Sequence, residues 1–382
     1  MLQKSMKVLN RMILDISDKG FKSIMGSTDL ALPKKRKENC FLKDLTILFA
    51  KYEDLLRNAD STVTAGVSIR FDEIKDICDR ICKIVDAYLS GFPSKAYNRL
   101  VRLMRRYYIK SQYQLKVYQK TNTCGLSGRA EEDSLSFFRV RDKIESFDRV
   151  ELFHVPKEKR SIIGASRYSI SGYPSLYLST SLELSYNELG GPNCGYASLF
   201  KLNRSISDNM IKVIELAIKP QDFIGESALR YNEDKRGSRK FTVLYSRFFD
   251  KSFQATYLYW YPLIAACSYI RASVDNKFNA EYIVPQLLMQ WVCKNSKNDL
   301  CGIRYFSCRD EASSEMGFNY VFPVNNFSFK ASANNMHYCS ILQKAFSLSS
   351  PRIIDEDLSI IQKELIADDC QVIRIDGCID NN

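Results

Sequence analysis

Histidine chemistry has little material in this sequence. Among 382 residues there are two histidines, His154 and His337. One spacing could support a reaction. Arg149 and His154 form an R-x4-H pattern, which can act on an RNA phosphate when both side chains lie on one helix. Pro156 follows closely and predicts a loop, so we interpret this spacing as chance.

The short motifs that usually identify an enzyme are missing. The sequence has no glycine-rich dinucleotide fingerprint, no P-loop, no HExxH and no GxSxG. Its 12 cysteines include no CxxC pair, so the spacing predicts neither a zinc site nor a disulfide framework. We expect reduced thiols, no metal ion and no bound cofactor.

Several short segments of the second half are informative because of their order along the chain. The longest runs without a break from Ser166 to Ser179 and is continued by residues 181–188. The others are residues 137–141, 153–156, 281–288 and 302–307. Together they resemble the RES domain, a family named for its arginine, glutamate and serine. The resemblance covers roughly residues 134–330.

The resemblance implies a fold, a substrate and a set of site residues. The best-known RES proteins are toxins of bacterial toxin–antitoxin pairs that destroy NAD+, and their fold is a compact α+β fold like that of ADP-ribosyltransferases. NAD+ is then the substrate, and an antitoxin or inhibitor protein is an expected partner. Matched position by position, the family residues fall on these positions of the chain: Arg139, Glu188 and Ser307 as catalytic residues; Arg167, Tyr168 and Tyr177 as substrate-binding residues; and Arg141 as the alternative to Arg139.

These residue types suit the cleavage of a nicotinamide–ribose bond. The transition state resembles an oxocarbenium ion, which a carboxylate such as Glu188 can stabilise. Arginines such as Arg139 and Arg167 offer a planar fork for the pyrophosphate. Tyr177 and Tyr168 could supply an aromatic wall, and the hydroxyl of Ser307 could hydrogen-bond the amide or the ribose.

The sequence leaves open which group accepts the ADP-ribose and whether the protein is an enzyme. The acceptor could be water or phosphate. It could also be a macromolecule, because residues 179–181 read Ser-Thr-Ser, which resembles a strand motif of some ADP-ribosyltransferases. Against arginine-directed transfer, Tyr186 stands where a Glu-x-Glu pair would need its first glutamate. The remaining alternative is a protein that is not an enzyme and binds nucleic acid or another partner, with a degenerate RES domain.

Positive charge is concentrated at the start of the chain. Residues 1–130 hold 25 Lys and Arg against 13 Asp and Glu, whereas the remainder holds 30 against 31. A predicted helix from about residue 95 to 119 carries much of this charge and interleaved tyrosines. Such a helix could bind nucleic acid or an acidic partner, or form a solvated face whose tyrosines pack inward. Its basic residues include Arg99, Arg102, Arg105 and Arg106.

The patterning predicts four parts. They are an all-α basic domain at 1–122, a linker at 123–133, an α+β RES-like catalytic domain at 134–345, and a C-terminal extension at 346–382 that packs on the catalytic domain. In the third part we predict strands at 136–140, 175–178, 212–218, 302–306 and 319–324, with helices at 181–189 and 279–294.

We expect a cytoplasmic protein that does not interact with a membrane. Lys4, Lys7 and Arg11 interrupt any apolar run at the N-terminus, so no signal peptide is predicted. The longest uncharged stretch is residues 252–270, which contains Pro262 and several aromatics. We interpret that stretch as a buried strand-and-helix segment.

Overall fold

The computed structural model describes most of the chain in eleven stretches. They are residues 12–61, 66–109, 136–142, 148–203, 211–224, 251–273, 275–295, 300–324, 337–355, 357–368 and 370–372. The predicted linker at 123–133 lies outside the described residues, as do Lys110 and the residues that follow it in the predicted basic helix.

In the described residues of the N-terminal region there are four α-helices and one pair of short strands. The helices are α1 (Asp18–Met25), α2 (Phe41–Arg57), α3 (Phe71–Leu89) and α4 (Pro93–Leu103), and α4 continues into a π-helix at Met104–Ile109. Strands β1 (Ile13–Ile16) and β2 (Val67–Arg70) pair antiparallel. The prediction of an all-α region is therefore wrong in this detail: Val67 and Ile69 alternate with exposed Ser68 in β2, a period-2 pattern too short to dominate the helical signal.

The rest of the described fold is built around a nine-stranded mixed sheet. Its strands are β3 (Ser136–Asp142), β4 (Ser175–Ser179), β5 (Gly195–Leu202), β6 (Ile211–Leu216), β7 (Leu300–Phe306), β8 (Phe318–Pro323), β9 (Phe346–Leu348), β10 (Arg352–Ile353) and β11 (Gln371–Val372). The order is β11-β9-β5-β3-β4-β8-β7-β6, with β10 beside β5. Only β6 and β7 run parallel among these described strands. The α+β class is confirmed.

Helices cover both faces of this sheet. They are α5 (Leu182–Leu189), α6 (Lys251–Cys267), α7 (Ile283–Asn295), α8 (Ser340–Ala345) and α9 (Leu358–Ala367). Strand β3 is buried on both sides: Phe137 packs with Tyr320 and Phe346, whereas Phe138 belongs to the cluster of Leu182 and Ile361. The same alternation directs Arg139 to the face of Phe137.

Helix α9 packs on the sheet part of the fold. Its Ile361 and Leu365 are buried. The side chain of Gln362 accepts a hydrogen bond of 2.9 Å from the backbone N–H of Leu182. Helix α9, which lies within the predicted C-terminal extension, therefore contacts the first turn of α5.

One hydrophobic core joins the N-terminal helices to α6 and α7. The stretch predicted as a strand and a helix at 252–270 is mostly one helix, α6. Of the 17 residues of α6, 14 are buried, so the helix is buried on all sides. Its sequence shows no period-2 alternation, which a half-buried strand would have. Four tyrosines with hydroxyl hydrogen bonds connect α6 to the N-terminal region. We call Tyr52, Tyr108, Tyr259 and Tyr261 the tyrosine layer.

Each hydroxyl of the tyrosine layer bonds to a backbone group. Tyr52 donates to the carbonyl of Leu258 at 2.7 Å, and Tyr108 donates to the carbonyl of Tyr259 at 3.0 Å. The hydroxyl of Tyr259 accepts from the N–H of Arg70 at 2.8 Å. Tyr261 donates to the carbonyl of Leu30 at 3.2 Å. The N-terminal helices thus share a core with the sheet part, and the predicted division of the chain at 123–133 stays a prediction.

In the described part of the chain, none of the helices combines the length and the apolar character that a bilayer crossing requires.

Candidate active site

A cavity of about 360 Å³ opens beside the middle strands of the sheet. Its lining is rich in charge, with four cations and a single anion among the described residues. They are Arg139, Arg167, Arg271, Arg309 and Glu188. Three tyrosines complete one wall, namely Tyr177, Tyr282 and Tyr305. We call this cavity the arginine pocket.

The charged residues reach the arginine pocket from separate elements. Arg139 lies in the middle of β3, and Glu188 is the penultimate residue of α5. Arg167 belongs to the loop before β4, Arg271 follows α6, and Arg309 follows β7. The sheet order makes this possible because β3, β4 and β8 are neighbours, so the ends of distant segments meet.

Arg139 carries a half-buried charge with few partners. Its Nη1 donates to the carbonyl of Tyr177 at 3.0 Å, and its Nε has no hydrogen-bond partner among the described residues. Burial, together with the nearby charge of Arg141, lowers the pKa of Arg139 well below the ordinary arginine value. An anion that bound here would relieve this unfavourable burial.

Arg167 is more firmly held. It is buried and donates to the carbonyls of Cys267 at 3.1 Å and Cys308 at 3.3 Å. Its guanidinium lies 5.2 Å from the centre of the Tyr282 ring, within cation–π range. These contacts fix the position of Arg167 without neutralising its charge.

Tyr177 organises the loop that carries Arg167. Its hydroxyl lies 2.7 Å from Ser166 Oγ and 2.9 Å from Ser169 Oγ, and it accepts from the N–H of Tyr168 at 3.2 Å. From the other side, Gln286 Nε2 donates to the carbonyls of Ser166 and Ser169 at 3.0 and 3.2 Å. The loop is therefore bound to both β4 and α7.

Glu188 is exposed, yet its carboxylate is not free to rotate. Its Oε1 accepts a hydrogen bond of 2.6 Å from Asn319 Nδ2, and Asn319 Oδ1 accepts from Ser179 Oγ at 2.7 Å. Arg309 Nη1 donates to the backbone carbonyl of Glu188 at 3.2 Å. Gly190, with φ of +102°, ends α5 two residues later, which allows the chain to turn away from the cavity.

The structure brings four of the predicted site residues together and leaves three outside the lining. Arg139, Arg167, Tyr177 and Glu188 line one cavity. Tyr168 is buried behind it, with its ring centroid 4.7 Å from that of Tyr305. The other two, Ser307 and Arg141, are held elsewhere.

Ser307 and Arg141 both bond to backbone groups and do not line the cavity. Ser307 is fully buried and accepts from the N–H of Arg309 at 3.2 Å. The next residue, Cys308, lines the cavity instead. Arg141, which could have paired with Asp142 at the surface, donates to the carbonyl of Phe153 at 2.9 Å.

The residues of the lining that were not predicted from the sequence include Arg271, Arg309 and Asn319. Arg271 and Arg309 lie in loops without a local motif. Asn319 carried a usable signal, because it is a buried polar residue inside the otherwise apolar run of β8, and buried polar residues need a reason.

The R-x4-H pattern does not form a site. Arg149 Nη2 donates to Ser350 Oγ at 2.6 Å, whereas His154 is buried, with its Nε2 accepting from the N–H of Cys339 at 2.9 Å. Its Nδ1 lies 2.9 Å from the carbonyl of Val155, so the neutral tautomer satisfies both nitrogens. Burial lowers the pKa of His154 to about 3.

The hydroxyls of the Ser-Thr-Ser run have local structural partners. Thr180 Oγ1 accepts from the N–H of Phe318 at 2.9 Å. Ser181 Oγ accepts from the N–H of Leu184 at 3.2 Å, which caps α5. Of this run, only Ser179 lines the arginine pocket.

In the described part of the basic helix, most of the arginines are more exposed than the tyrosines, of which Tyr97 is half-buried. Arg102, Arg105 and Arg106 are exposed, whereas Tyr107 and Tyr108 are buried. These two tyrosines pack inward and offer no face on which a base could stack. Tyr113 and Tyr118 lie outside the described residues.

Within the described ranges, no group of three or more His, Cys, Asp or Glu side chains is placed to hold a metal ion.

The chain is similar to a known bacterial protein. The chain is 28% identical over 291 residues, 74% of its length, to the protein named "Putative toxin YopC" of Bacillus subtilis (strain 168). The match covers 59% of that protein, so the chain spans less than two thirds of its relative. No protein-family model matches the chain. No solved structure matches it either.

Proposed function

We propose that this chain carries a RES-type active site in the arginine pocket and cleaves NAD+ between nicotinamide and ribose. The observation that carries the proposal is the lining of one cavity by four arginines and one hydrogen-bonded carboxylate. A dinucleotide requires this combination, because its pyrophosphate is anionic while its reacting ribose becomes cationic in the transition state.

Glu188 acts on the ribose in this proposal. The bond between the nicotinamide nitrogen and the anomeric carbon breaks, and the electron pair leaves with neutral nicotinamide. The oxocarbenium ion that remains is stabilised by the Glu188 carboxylate and captured by water or phosphate, with loss of one proton from the attacking group. Preorganised charges of this kind are worth about 10²- to 10³-fold in rate.

Arg139 and Arg167 hold the pyrophosphate. Arg167 is pre-positioned by two carbonyls and the ring of Tyr282, and Arg139 retains donors that no described residue uses. Charge-assisted, bidentate bonds from such arginines favour a phosphate over neutral groups. The ring of Tyr177 or Tyr305 supplies an apolar wall for the nicotinamide.

The similarity to a protein named as a toxin supports a biological role for this reaction. We propose that the chain acts as a toxin by consuming cytoplasmic NAD+, and that an antitoxin or inhibitor protein restrains it. The exposed arginines of the N-terminal helices would then serve a partner or solubility rather than the reaction.

The experiment is incubation of the purified protein with NAD+, with and without inorganic phosphate, followed by chromatography of the products. We expect free nicotinamide together with ADP-ribose, or with a phosphorylated ADP-ribose when phosphate is the acceptor. Intact NAD+ at high enzyme concentration would overturn the proposal. A salt-dependent gel shift with RNA or DNA in the same preparation would favour the non-enzymatic alternative.

Glu188→Gln tests the assignment of the carboxylate. It keeps the shape of the side chain and removes its charge, so we expect turnover to fall by about 10²- to 10³-fold. Glu183→Gln is the matched control, because Glu183 is an exposed residue of the same helix and does not line the pocket. Equal activity of the two variants would contradict the role of Glu188.

A further inference from the structure

We propose that Asn319, oriented by Ser179, is a positioning residue that fixes the Glu188 carboxylate and leaves its second oxygen free for the substrate. The inference rests on the proposed role of Glu188. It adds two residues to which the resemblance to the RES domain assigned no role.

The register of the sheet creates this arrangement. Ser179 and Asn319 are directly opposite each other in the antiparallel pair of β4 and β8, which places their side chains side by side. Both are buried, with 5% and 3% of their surface exposed. Glu188 approaches from α5, so three separate elements meet at one hydrogen-bonded chain.

The two bonds determine the orientation of the Asn319 amide. A carboxylate can only accept hydrogen bonds, so the amide nitrogen must face Glu188 Oε1 at 2.6 Å. The amide oxygen then faces Ser179 Oγ at 2.7 Å and accepts its proton. A flipped amide would lose the first bond and place two acceptors against each other.

Glu188 needs such a partner because of its location. It is exposed on the last turn of an eight-residue helix, where the partial negative charge of the helix end repels a carboxylate. Without Asn319 the side chain would gain rotamer freedom, and a reacting group that is misplaced by about 1 Å can lose about 10²-fold in rate.

A purely structural role for Asn319 makes a different prediction. If it only satisfied Ser179 and joined two strands, its loss would lower stability while leaving kcat of the folded protein intact. The test therefore needs a measurement that does not depend on the stability of the protein.

Asn319→Asp provides that readout. It places a second carboxylate within hydrogen-bond distance of Glu188 Oε1, and two carboxylates this close must share a proton. We expect the apparent pKa of one of the pair to rise by at least about 1 unit. This titration is followed by carbon NMR of labelled glutamate and aspartate side chains, without nucleotide, with Glu188→Gln for assignment.

Asn187→Asp is the matched control. Asn187 precedes Glu188 in α5, and its amide contacts Met316 rather than the carboxylate. It adds the same charge nearby without a shared hydrogen bond. If the apparent pKa rises in Asn319→Asp and not in Asn187→Asp, the proposal is supported. If the two variants show the same apparent pKa values, the proposal is overturned.

Asn319→Ala and Ser179→Ala complete the test with NAD+. We expect kcat to fall about 10- to 100-fold in Asn319→Ala, with KM changed less than threefold, and to fall less in Ser179→Ala. Asn319→Ala with wild-type kcat and a lowered unfolding temperature would overturn the proposal. If wild type does not consume NAD+, the proposed function fails, whereas the NMR titration still decides whether residue 319 holds the Glu188 carboxylate.

Discussion

The tyrosine layer and the arginine pocket treat buried polar groups in opposite ways. In the tyrosine layer every hydroxyl bonds to a backbone group of the opposing segment. In the arginine pocket, Arg139 Nε lacks any partner, and Arg271 forms no hydrogen bond or ion pair with the described residues. The arginine pocket opens to solvent at Glu188, whereas the tyrosine layer is fully buried. Arg139 Nε is nevertheless a buried atom, so at this atom the contrast does not come from burial. It lies in whether the protein supplies the partner itself.

This contrast separates structure from function in physical terms. An unsatisfied buried donor costs about 1–3 kcal/mol, and more when it is charged. A protein gains nothing in stability by leaving such donors open. Open cations beside one another in a cavity therefore indicate an anionic ligand, whereas fully paired hydroxyls indicate a fixed interface.

The largest expected effect comes from removing the N-terminal side of the tyrosine layer. A chain that lacks residues 1–129 would expose Leu258, Tyr259 and Tyr261, each of which has 0% of its surface accessible in the full chain. We expect this fragment to be insoluble or to unfold without cooperativity, as measured by circular dichroism during heating. A soluble fragment that binds NAD+ would instead support an independent catalytic domain after residue 133.

The second prediction addresses the arginine pocket. Arg139→Lys keeps the positive charge and loses the planar fork, so we expect NAD+ turnover to fall by about 10²-fold. The unfolding temperature should change little, because the variant keeps one buried positive charge in the same place. Steady-state kinetics and thermal unfolding measure the two quantities.

Arg141→Lys is the control for Arg139→Lys. Arg141 is two residues along the same strand and donates to the Phe153 carbonyl outside the pocket, so we expect turnover within about threefold of wild type. A severe loss in Arg141→Lys with a mild loss in Arg139→Lys would move the site by two residues along β3.

The third prediction concerns His154, a buried titratable group whose two ring nitrogens both have hydrogen-bond partners. Burial lowers the pKa of His154 from 6.5 to about 3. The unfolded chain therefore binds a proton that the folded chain does not, and this contribution to stability is complete above pH 6.5 and is lost as pH falls toward 3.

The pH effect can be isolated by mutation. Each pH unit below 6.5 should cost up to about 1.4 kcal/mol of unfolding free energy from this group. His154→Gln should flatten that dependence in urea titrations at pH 6.5 and 5. His337→Gln is the control, because His337 lies at the surface against Glu158. Identical slopes in wild type and His154→Gln would contradict the assignment.

The smallest expected effect concerns one hydroxyl of the tyrosine layer. Tyr261→Phe removes the donor to the Leu30 carbonyl and should lower the unfolding free energy by about 1 kcal/mol. Turnover of NAD+ should stay unchanged. A loss of turnover without a loss of stability would mean that the two regions are coupled more closely than their separate bonding indicates.

Much of the fold could be predicted from local pattern. Strands β3, β4, β6, β7 and β8 and helices α5 and α7 lie within a few residues of their predicted positions, because alternation and 3.6-residue periodicity act over short windows. The pairing of β1 with β2 was missed, since it depends on segments more than fifty residues apart.

The site was predictable only where a linear motif carried it. Arg139, Arg167, Tyr177 and Glu188 stand in recognisable segments, and the structure places them around one cavity. Arg271 and Arg309 come from loops whose position follows from the strand order, which composition does not encode. Ser307 shows that a sequence motif does not determine which way a side chain points. In an extended chain, side chains one residue apart point in opposite directions.

The bond between Glu188 and Asn319 also has a consequence during protein synthesis. The two residues are 131 positions apart, and Asn319 lies in a strand that pairs with β4 and β7. A nascent chain on the ribosome carries Glu188 long before its partner has been translated. If the positioning role holds, every truncated translation product that ends before residue 319 would hold an unassembled catalytic carboxylate. The proposed cleavage of NAD+ would then begin only after residue 319 has been translated and β8 has joined the sheet.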